Sequence, residues 1–376
     1  MQEQTYINHG LSLYIHIPFC KTICPYCGFY KVKNQLDLEA PLITALGQEI
    51  QFYVTQFSLP PIKSIFLGGG TPSLLSKKAL TQLFETIHAH LTLSPECEIT
   101  MEINPENITK SLLTCYKQRG INRLSIGVQS FNPKDLTFLG RTHTPNDLNI
   151  ALTTLLNHSS DWNYNIDLIT GLPHLTLDDL MNTLQKALAF NPPHISTYTL
   201  SIEPHTLFEK KDISPLDQAI ESTHYTQTHD FLTQKNYTHY EVSAFAKPGY
   251  ESQHNLTYWN YNPFIGIGPS ANSFFNNCRY TNPRSLTDYI KNPLPIFSDP
   301  IDQNTQIKEF LISNLRLQEG FKLSTFRQRF NQSFEERYST IIKKLQNQEL
   351  INIANNRCQT TQKGRVLLNT ILVDLM

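Results

Sequence analysis

Three cysteines fall within eight positions, in Cys20-Lys21-Thr22-Ile23-Cys24-Pro25-Tyr26-Cys27, directly after the apolar run Leu13-Tyr14-Ile15-His16-Ile17-Pro18-Phe19. Thiolates this close repel one another unless a soft cation holds them, so the spacing points to a metal-bound cluster. Three thiolates from one short loop can take three corners of a cubane [4Fe–4S] cluster and leave one iron without a protein ligand. An open iron is what small-molecule chemistry at a cluster requires. The competing readings are three incidental thiols or a zinc knuckle lacking its fourth ligand.

Further candidates follow at intervals. Gly68-Gly69-Gly70-Thr71-Pro72-Ser73 would let the backbone approach a ligand closely, although such a run can also be a tight turn. In Glu98-Ile99-Thr100-Met101-Glu102-Ile103-Asn104-Pro105, the alternate residues Glu98, Thr100, Glu102 and Asn104 share one face of a strand. A polar row of this kind is costly to bury unless it is hydrogen-bonded, to a ligand or within a structural network. Gln129, Arg141 and Asp167 stand in Gly127-Val128-Gln129-Ser130-Phe131, Leu139-Gly140-Arg141-Thr142-His143 and Asn165-Ile166-Asp167-Leu168-Ile169-Thr170-Gly171-Leu172-Pro173. They could line one cavity, Arg141 facing a ligand carboxylate and Asp167 a ribose hydroxyl or an amine. Far downstream, His254-Asn255-Leu256-Thr257-Tyr258-Trp259 sets an imidazole beside aromatic rings. That suits a porphyrin site, or equally a loop anchored by aromatics over the mouth of a barrel.

These residues need elements to position them. Short β-like runs at Leu13–Ile17, Ser64–Leu67, Glu98–Ile103, Arg123–Val128, Asn165–Ile169 and Ile195–Leu200 alternate with amphipathic helical stretches. The helical stretches lie near Leu38–Gln56, Lys77–Leu91, Thr109–Arg119, Pro145–Asn157 and Leu177–Ala189. Strands separated by helices imply right-handed βαβ units and a parallel sheet. The unusual residues fall at or just beyond the C-terminal ends of strands, the face on which α/β barrels place ligands. The expected fold is therefore α/β, a partial (β/α)6 TIM-like barrel. A helix at Asp217–Gln234 and a strand at Tyr240–Phe245 should follow it. Helical patterns at Gln306–Asn314 and Phe334–Gln348, then apolar runs at Leu350–Ile353 and Val366–Val373, suggest a small helical, winged-helix-like C-terminal module. The expected division is a part-barrel over 1–245 and a C-terminal region over 246–376, with a motif loop at 252–275 and the small module at 303–376.

Composition narrows the function classes. The 376 residues are 40% hydrophobic and 17% charged, which fits a globular chain with a sizeable core. A net charge of −1 without a basic stripe argues against a nucleic-acid partner. No apolar run reaches about 18 residues, so no membrane span is expected, and Met1 to Gly10 lacks a signal-peptide pattern. Cys97, Cys115, Cys278 and Cys358 are scattered, unlike a secreted disulfide framework. The chain reads as cytoplasmic.

Taken together, the cysteine motif and the runs quoted above resemble the radical S-adenosylmethionine superfamily, within it the coproporphyrinogen-dehydrogenase-like branch. The resemblance covers nearly the whole chain from Leu13. It implies that Cys20, Cys24 and Cys27 hold three irons of a [4Fe–4S] cluster, with S-adenosylmethionine chelating the fourth through its amine and carboxylate. It also places Tyr14, Tyr26, Gly69, Gly70, Thr71, Glu102, Gln129, Arg141 and Asp167 against that cofactor. Electron transfer from the reduced cluster into the sulfonium would yield methionine and a 5′-deoxyadenosyl radical, so an electron donor is a further implied partner. The cofactor carries that chemistry while the protein orients it and excludes water.

The branch holds two groups with different jobs. Oxygen-independent coproporphyrinogen III dehydrogenases oxidatively decarboxylate two propionates to vinyl groups. The HemW group binds haem and is thought to pass it to an acceptor protein. Phe29 stands where the dehydrogenases carry a further cysteine, and only 19 residues precede Cys20, too few for their longer N-terminal arm. The segment from His254 to Trp259 matches the His-Asn-x-x-Tyr-Trp signature of the HemW group, which implies His254, Tyr258 and Trp259 as haem contacts. Gly28 departs from the Asp common in that group and resembles the dehydrogenases instead. The expectation is a haem chaperone, with the dehydrogenase activity as the alternative and no catalytic residue assigned.

Overall fold

A computed structural model describes residues 10–33, 35–158 and 162–376. Its chain divides into two compact units, Met1–His224 with Pro263–Asp299, and Tyr225–Asn262 with Pro300–Met376.

The first unit is built on β1 (Leu11–Ile17), α1 (Glu39–Gln56), β2 (Ile62–Gly69), α2 (Lys77–His90), β3 (Leu93–Ile103), α3 (Lys110–Gln118) and β4 (Arg123–Gln129). It continues through α4 (Pro133–Phe138), α5 (Pro145–His158), β5 (Asn163–Thr170), α6 (Leu177–Leu188) and β6 (His194–Thr199). The six strands pair in parallel and in sequence order. The far edge of β1 pairs in parallel with Phe264–Ile267, and the strands Asn272–Phe275 and Cys278–Thr281 continue antiparallel from there. Because β1 is bordered by β2 and Phe264–Ile267, the run does not close on itself and the expected part-barrel is what forms.

Local chemistry explains the elements. Strand β1 is covered on both faces, so Leu11, Leu13, Ile15 and Ile17 are buried, and so are Ser12 and His16. Helix α6 buries Leu180, Leu184 and Ala187 along one stripe, and Thr176 caps it by accepting from the Asp179 amide. Glu49 on α1 is fully buried and accepts from Gly268 N at 2.9 Å, Asn282 Nδ2 at 2.8 Å and Tyr289 Oη at 2.6 Å. Burial outweighs those bonds and pushes its carboxyl up to about 8.

The second unit departs from the sequence reading in three places. The strand expected over Tyr240–Phe245 is a hairpin of Thr238–Glu241 and Ala244–Ala246, turning at Val242-Ser243. The turn carries no Gly, Asn or Pro signal, which is why one continuous strand was expected. Residues Gln253–Trp259 form a helix capped by Ser252, so the 252–275 segment is not one loop. The helix expected over Phe334–Gln348 divides at Tyr338 into Phe334–Arg337 and Ser339–Asn347. The module itself is helical with a small three-stranded antiparallel sheet of Phe321–Lys322, Ile351–Ala354 and Arg357–Thr360. Its core is aromatic: Phe310 lies 5.2 Å from Phe321 and Phe326 lies 4.9 Å from Phe330, ring centre to ring centre. Among the described residues no helix is long and apolar enough to cross a membrane.

Candidate functional site

The cysteine loop leaves the C-terminal end of β1 and is tied down at several points. Phe19–Cys20 pairs in parallel with Val32–Lys33. Gly70 N donates to Ile17 O at 2.8 Å, and Thr71 N to Phe19 O at 2.7 Å. A Cβ at Gly70 would stand 2.6 Å from Phe19 O, and one at Gly69, where φ is +110°, 2.6 Å from the His16 ring. The glycine run therefore lets the loop dock on the end of β2, a role that an open ligand cradle would not require. Across the loop, Phe208 N donates to Pro25 O at 3.0 Å.

All three thiols are partly exposed. Thr71 Oγ1 donates to Cys20 Sγ at 3.7 Å, and Arg141 Nη1 donates to Cys24 Sγ at 3.6 Å. Lys31 Nζ donates to the Cys27 carbonyl. Burial pushes the Cys20 thiol up to about 11, with a further push from Cys27 and Cys24, and burial also raises Cys27. Thiols held up this way need a bound cation to ionise at neutral pH. Among the described residues, no group of three or more His, Cys, Asp or Glu side chains could hold a metal ion. Three thiolates on three separate irons need not converge on one ion, so the donor set fits a cluster.

The strand-end residues form a polar floor beside the loop. Gly69 N donates to Glu102 Oε2 at 3.1 Å. Burial, then the charge of Asp167, pushes the Glu102 carboxyl up to about 8. Asp167 accepts from Ser125 Oγ at 2.7 Å and Asn165 Nδ2 at 2.6 Å, and burial raises it as well. Asn165 in turn accepts from His194 Nδ1 at 2.6 Å and Ser196 Oγ at 3.1 Å. Glu102 and Asp167 are partly buried carboxyls that a facing cation would let ionise, and S-adenosylmethionine carries an ammonium and a sulfonium. Gln129 adopts φ +67° at a register shift between Gly127 and its own position in β4. Left-handed backbone in a non-glycine residue is strain, and strain of this kind clusters where a side chain must be aimed.

Several candidates also have partners within the protein. Arg141 Nη2 donates to Asn104 Oδ1 at 2.6 Å and Gly127 O at 3.0 Å, while Nη1 donates to Cys24 Sγ. Glu98, from the polar row of β3, is paired with Arg123 Nε at 3.8 Å, so that end of the row is structural. Tyr26 packs 6.3 Å from Phe208 and is raised by burial. Sequence reasoning missed His16, whose Nε2 donates to Tyr30 O at 2.9 Å and whose Nδ1 accepts from Tyr14 Oη at 2.9 Å. It lies in an apolar strand with no spacing partner to signal it.

In the second unit His254 is only 1% exposed, and its Nε2 lies 2.8 Å from Tyr258 Oη one helical turn on. The Arg316 guanidinium stacks 4.3 Å from the Trp259 ring centre, and the buried Trp259 Nε1 has no hydrogen-bond partner.

The profile of the radical SAM superfamily matches residues 14–187, and that of the HemN C-terminal domain matches residues 301–367. The heme chaperone HemW of Escherichia coli (strain K12) is 42% identical over 267 residues, 69% of each chain. The heme chaperone HemW of Lactococcus lactis subsp. lactis (strain IL1403) is 34% identical over 367 residues, 96% of each chain. The solved structure of E. coli coproporphyrinogen III oxidase (HemN), a radical SAM enzyme, matches with a TM-score of 0.84 at 24% identity. It covers 98% of this chain and 90% of that one, a likeness of fold alone. The chain belongs to the radical SAM superfamily and, within it, to the HemN/HemW-like family.

Proposed function

We propose that this chain is a HemW-like haem chaperone. It carries a [4Fe–4S] cluster and S-adenosylmethionine in its first unit, binds haem through its C-terminal region and passes it to an acceptor protein in the cytoplasm. The observation that carries the reading is end-to-end similarity to a heme chaperone, 34% over 96% of both chains. Phe29 in place of a further cysteine supports it, as does the segment from His254 to Trp259.

In this reading Cys20, Cys24 and Cys27 hold the cluster, and Thr71 and Arg141 bond two of their sulfurs. Glu102 and Asp167 present partly buried carboxyls to the positive charges of S-adenosylmethionine, with Tyr14, Tyr26, Gly69, Gly70 and Gln129 completing its surroundings. When bound, the cluster and S-adenosylmethionine together supply one-electron cleavage of a sulfonium, driven by an external electron donor. Haem is the cargo in this reading, held at His254, Tyr258 and Trp259, whose His-Asn-x-x-Tyr-Trp spacing supports that assignment.

The rival reading is a coproporphyrinogen III dehydrogenase, favoured by Gly28. Anaerobic incubation of the cluster-loaded chain with S-adenosylmethionine, a reductant and coproporphyrinogen III separates the two. Unchanged tetrapyrrole is expected, and formation of protoporphyrinogen would overturn the chaperone reading.

A further inference from the structure

Lys31 is tied to the cysteine loop through backbone rather than sulfur. It lies four residues beyond Cys27, and its Nζ reaches back to donate to the Cys27 carbonyl. The main chain on either side of it is pinned. Tyr30 O accepts from His16 Nε2 at 2.9 Å, and Val32 N donates to Pro18 O at 2.8 Å. The Tyr30 ring is held as well, its Oη accepting from Leu286 N at 2.7 Å. The Lys31 side chain is half-buried, whereas Lys21 and Lys33 in the same stretch are exposed. An anchored stem therefore delivers this ammonium to the cysteines.

Charge in this position bears on the redox chemistry of a cluster. One-electron reduction takes an electron from the external donor and adds one negative charge to a site that already holds three thiolates. A fixed positive charge stabilises the reduced form more than the oxidised one, and so raises the potential. Burial raises the Cys20 and Cys27 thiols, and the Lys31 ammonium pulls both back down, so its field reaches two of the three cysteines. Glu102 acts on Cys27 in the opposite sense, more weakly than Lys31. Arg141 bonds Cys24 Sγ, so Lys31 supplies charge to the two cysteines that Arg141 does not bond. The exposed charges of Lys21 and Lys33 are screened by water and salt.

Building on the cluster assignment, we infer that Lys31 is a positioning residue that raises the reduction potential of the cluster held by Cys20, Cys24 and Cys27, bringing it within reach of the external donor. The test is an EPR-monitored redox titration of the cluster-loaded full chain without S-adenosylmethionine, with iron and sulfide content measured alongside. At the wild-type midpoint, Lys31→Met and Lys31→Gln should both raise the ratio of oxidised to reduced cluster about tenfold, equal to roughly 59 mV for a one-electron couple. The Gln amide can still donate to the Cys27 carbonyl. A shift in that variant at full iron loading therefore belongs to the lost charge and not to a loosened loop. Lys31→Arg should hold the wild-type midpoint, and so should Lys21→Met, which removes an exposed charge from the same loop. An unshifted midpoint in Lys31→Gln overturns the assignment, as does an equal shift in Lys21→Met. Loss of the cluster from Lys31→Gln would make Lys31 a structural tie and overturn it as well. Failure of wild type to take up a reducible cluster would instead refute the cluster assignment on which the inference rests.

Discussion

Arg141 Nη1 donates to Cys24 Sγ at 3.6 Å while its Nη2 is anchored on Asn104 Oδ1 at 2.6 Å. On the proposed cluster assignment, a guanidinium held from the end of the third strand against Cys24 is a partner to the metal site as much as to any organic ligand. It places positive charge beside a thiolate and fixes the direction of that sulfur.

Arg141→Met should therefore lower affinity for the cluster by about tenfold, the usual cost of losing a partner that orients a metal ligand. Iron and sulfide content after anaerobic reconstitution checks this. Cys24→Ser gives the reference for full loss, because a hydroxyl is a poor substitute for thiolate on iron. Equal loading of Arg141→Met and wild type would show that the guanidinium has no part in holding the cluster.

The glycine run predicts a steric effect. Gly70→Ala places a Cβ 2.6 Å from Phe19 O and 2.7 Å from the Pro18 carbonyl, both backbone atoms that cannot rotate away. The loop must shift, at a cost of about 1–3 kcal/mol as for other overpacking substitutions. Thermal melting of the cluster-free chain should fall by several degrees and cluster content should fall with it. A variant that melts like wild type would mean that the loop docks elsewhere.

Glu49 makes a pH prediction. Its carboxyl rises from an ordinary 4.5 to about 8 in the fold through burial. Between those values the unfolded chain has released the proton and the folded chain has kept it. The contribution is thus complete below pH 4.5 and is lost progressively as pH rises through 8. Melting of the cluster-free chain should therefore fall with rising pH across that window, and Glu49→Gln should flatten the slope. An unaltered slope in the variant would exclude Glu49 as its source.

The parallel strands were legible because alternation of short apolar runs with amphipathic helices is a long-range pattern, repeated from Leu13 to Leu200. The cysteine loop stood out because three soft ligands crowd into eight positions, a spacing that suits a metal cluster. The partnerships inside the site were less legible. Asn104 was visible on the polar face of β3, but only the fold shows that it anchors Arg141. His16 is isolated in the sequence, and spacing gives no sign of its hydrogen bonds to Tyr14 and Tyr30. His254 was readable as a motif residue, whereas its burial against Tyr258 depends on a helix of seven residues, too short for periodicity to register.

Haem binding tests the central claim most directly. Hemin titrated into the cluster-loaded full chain should give a saturable difference spectrum that ends at one haem per chain, with iron–sulfur content unchanged. A spectrum that only reports free or aggregated hemin, with no saturation, would contradict the account.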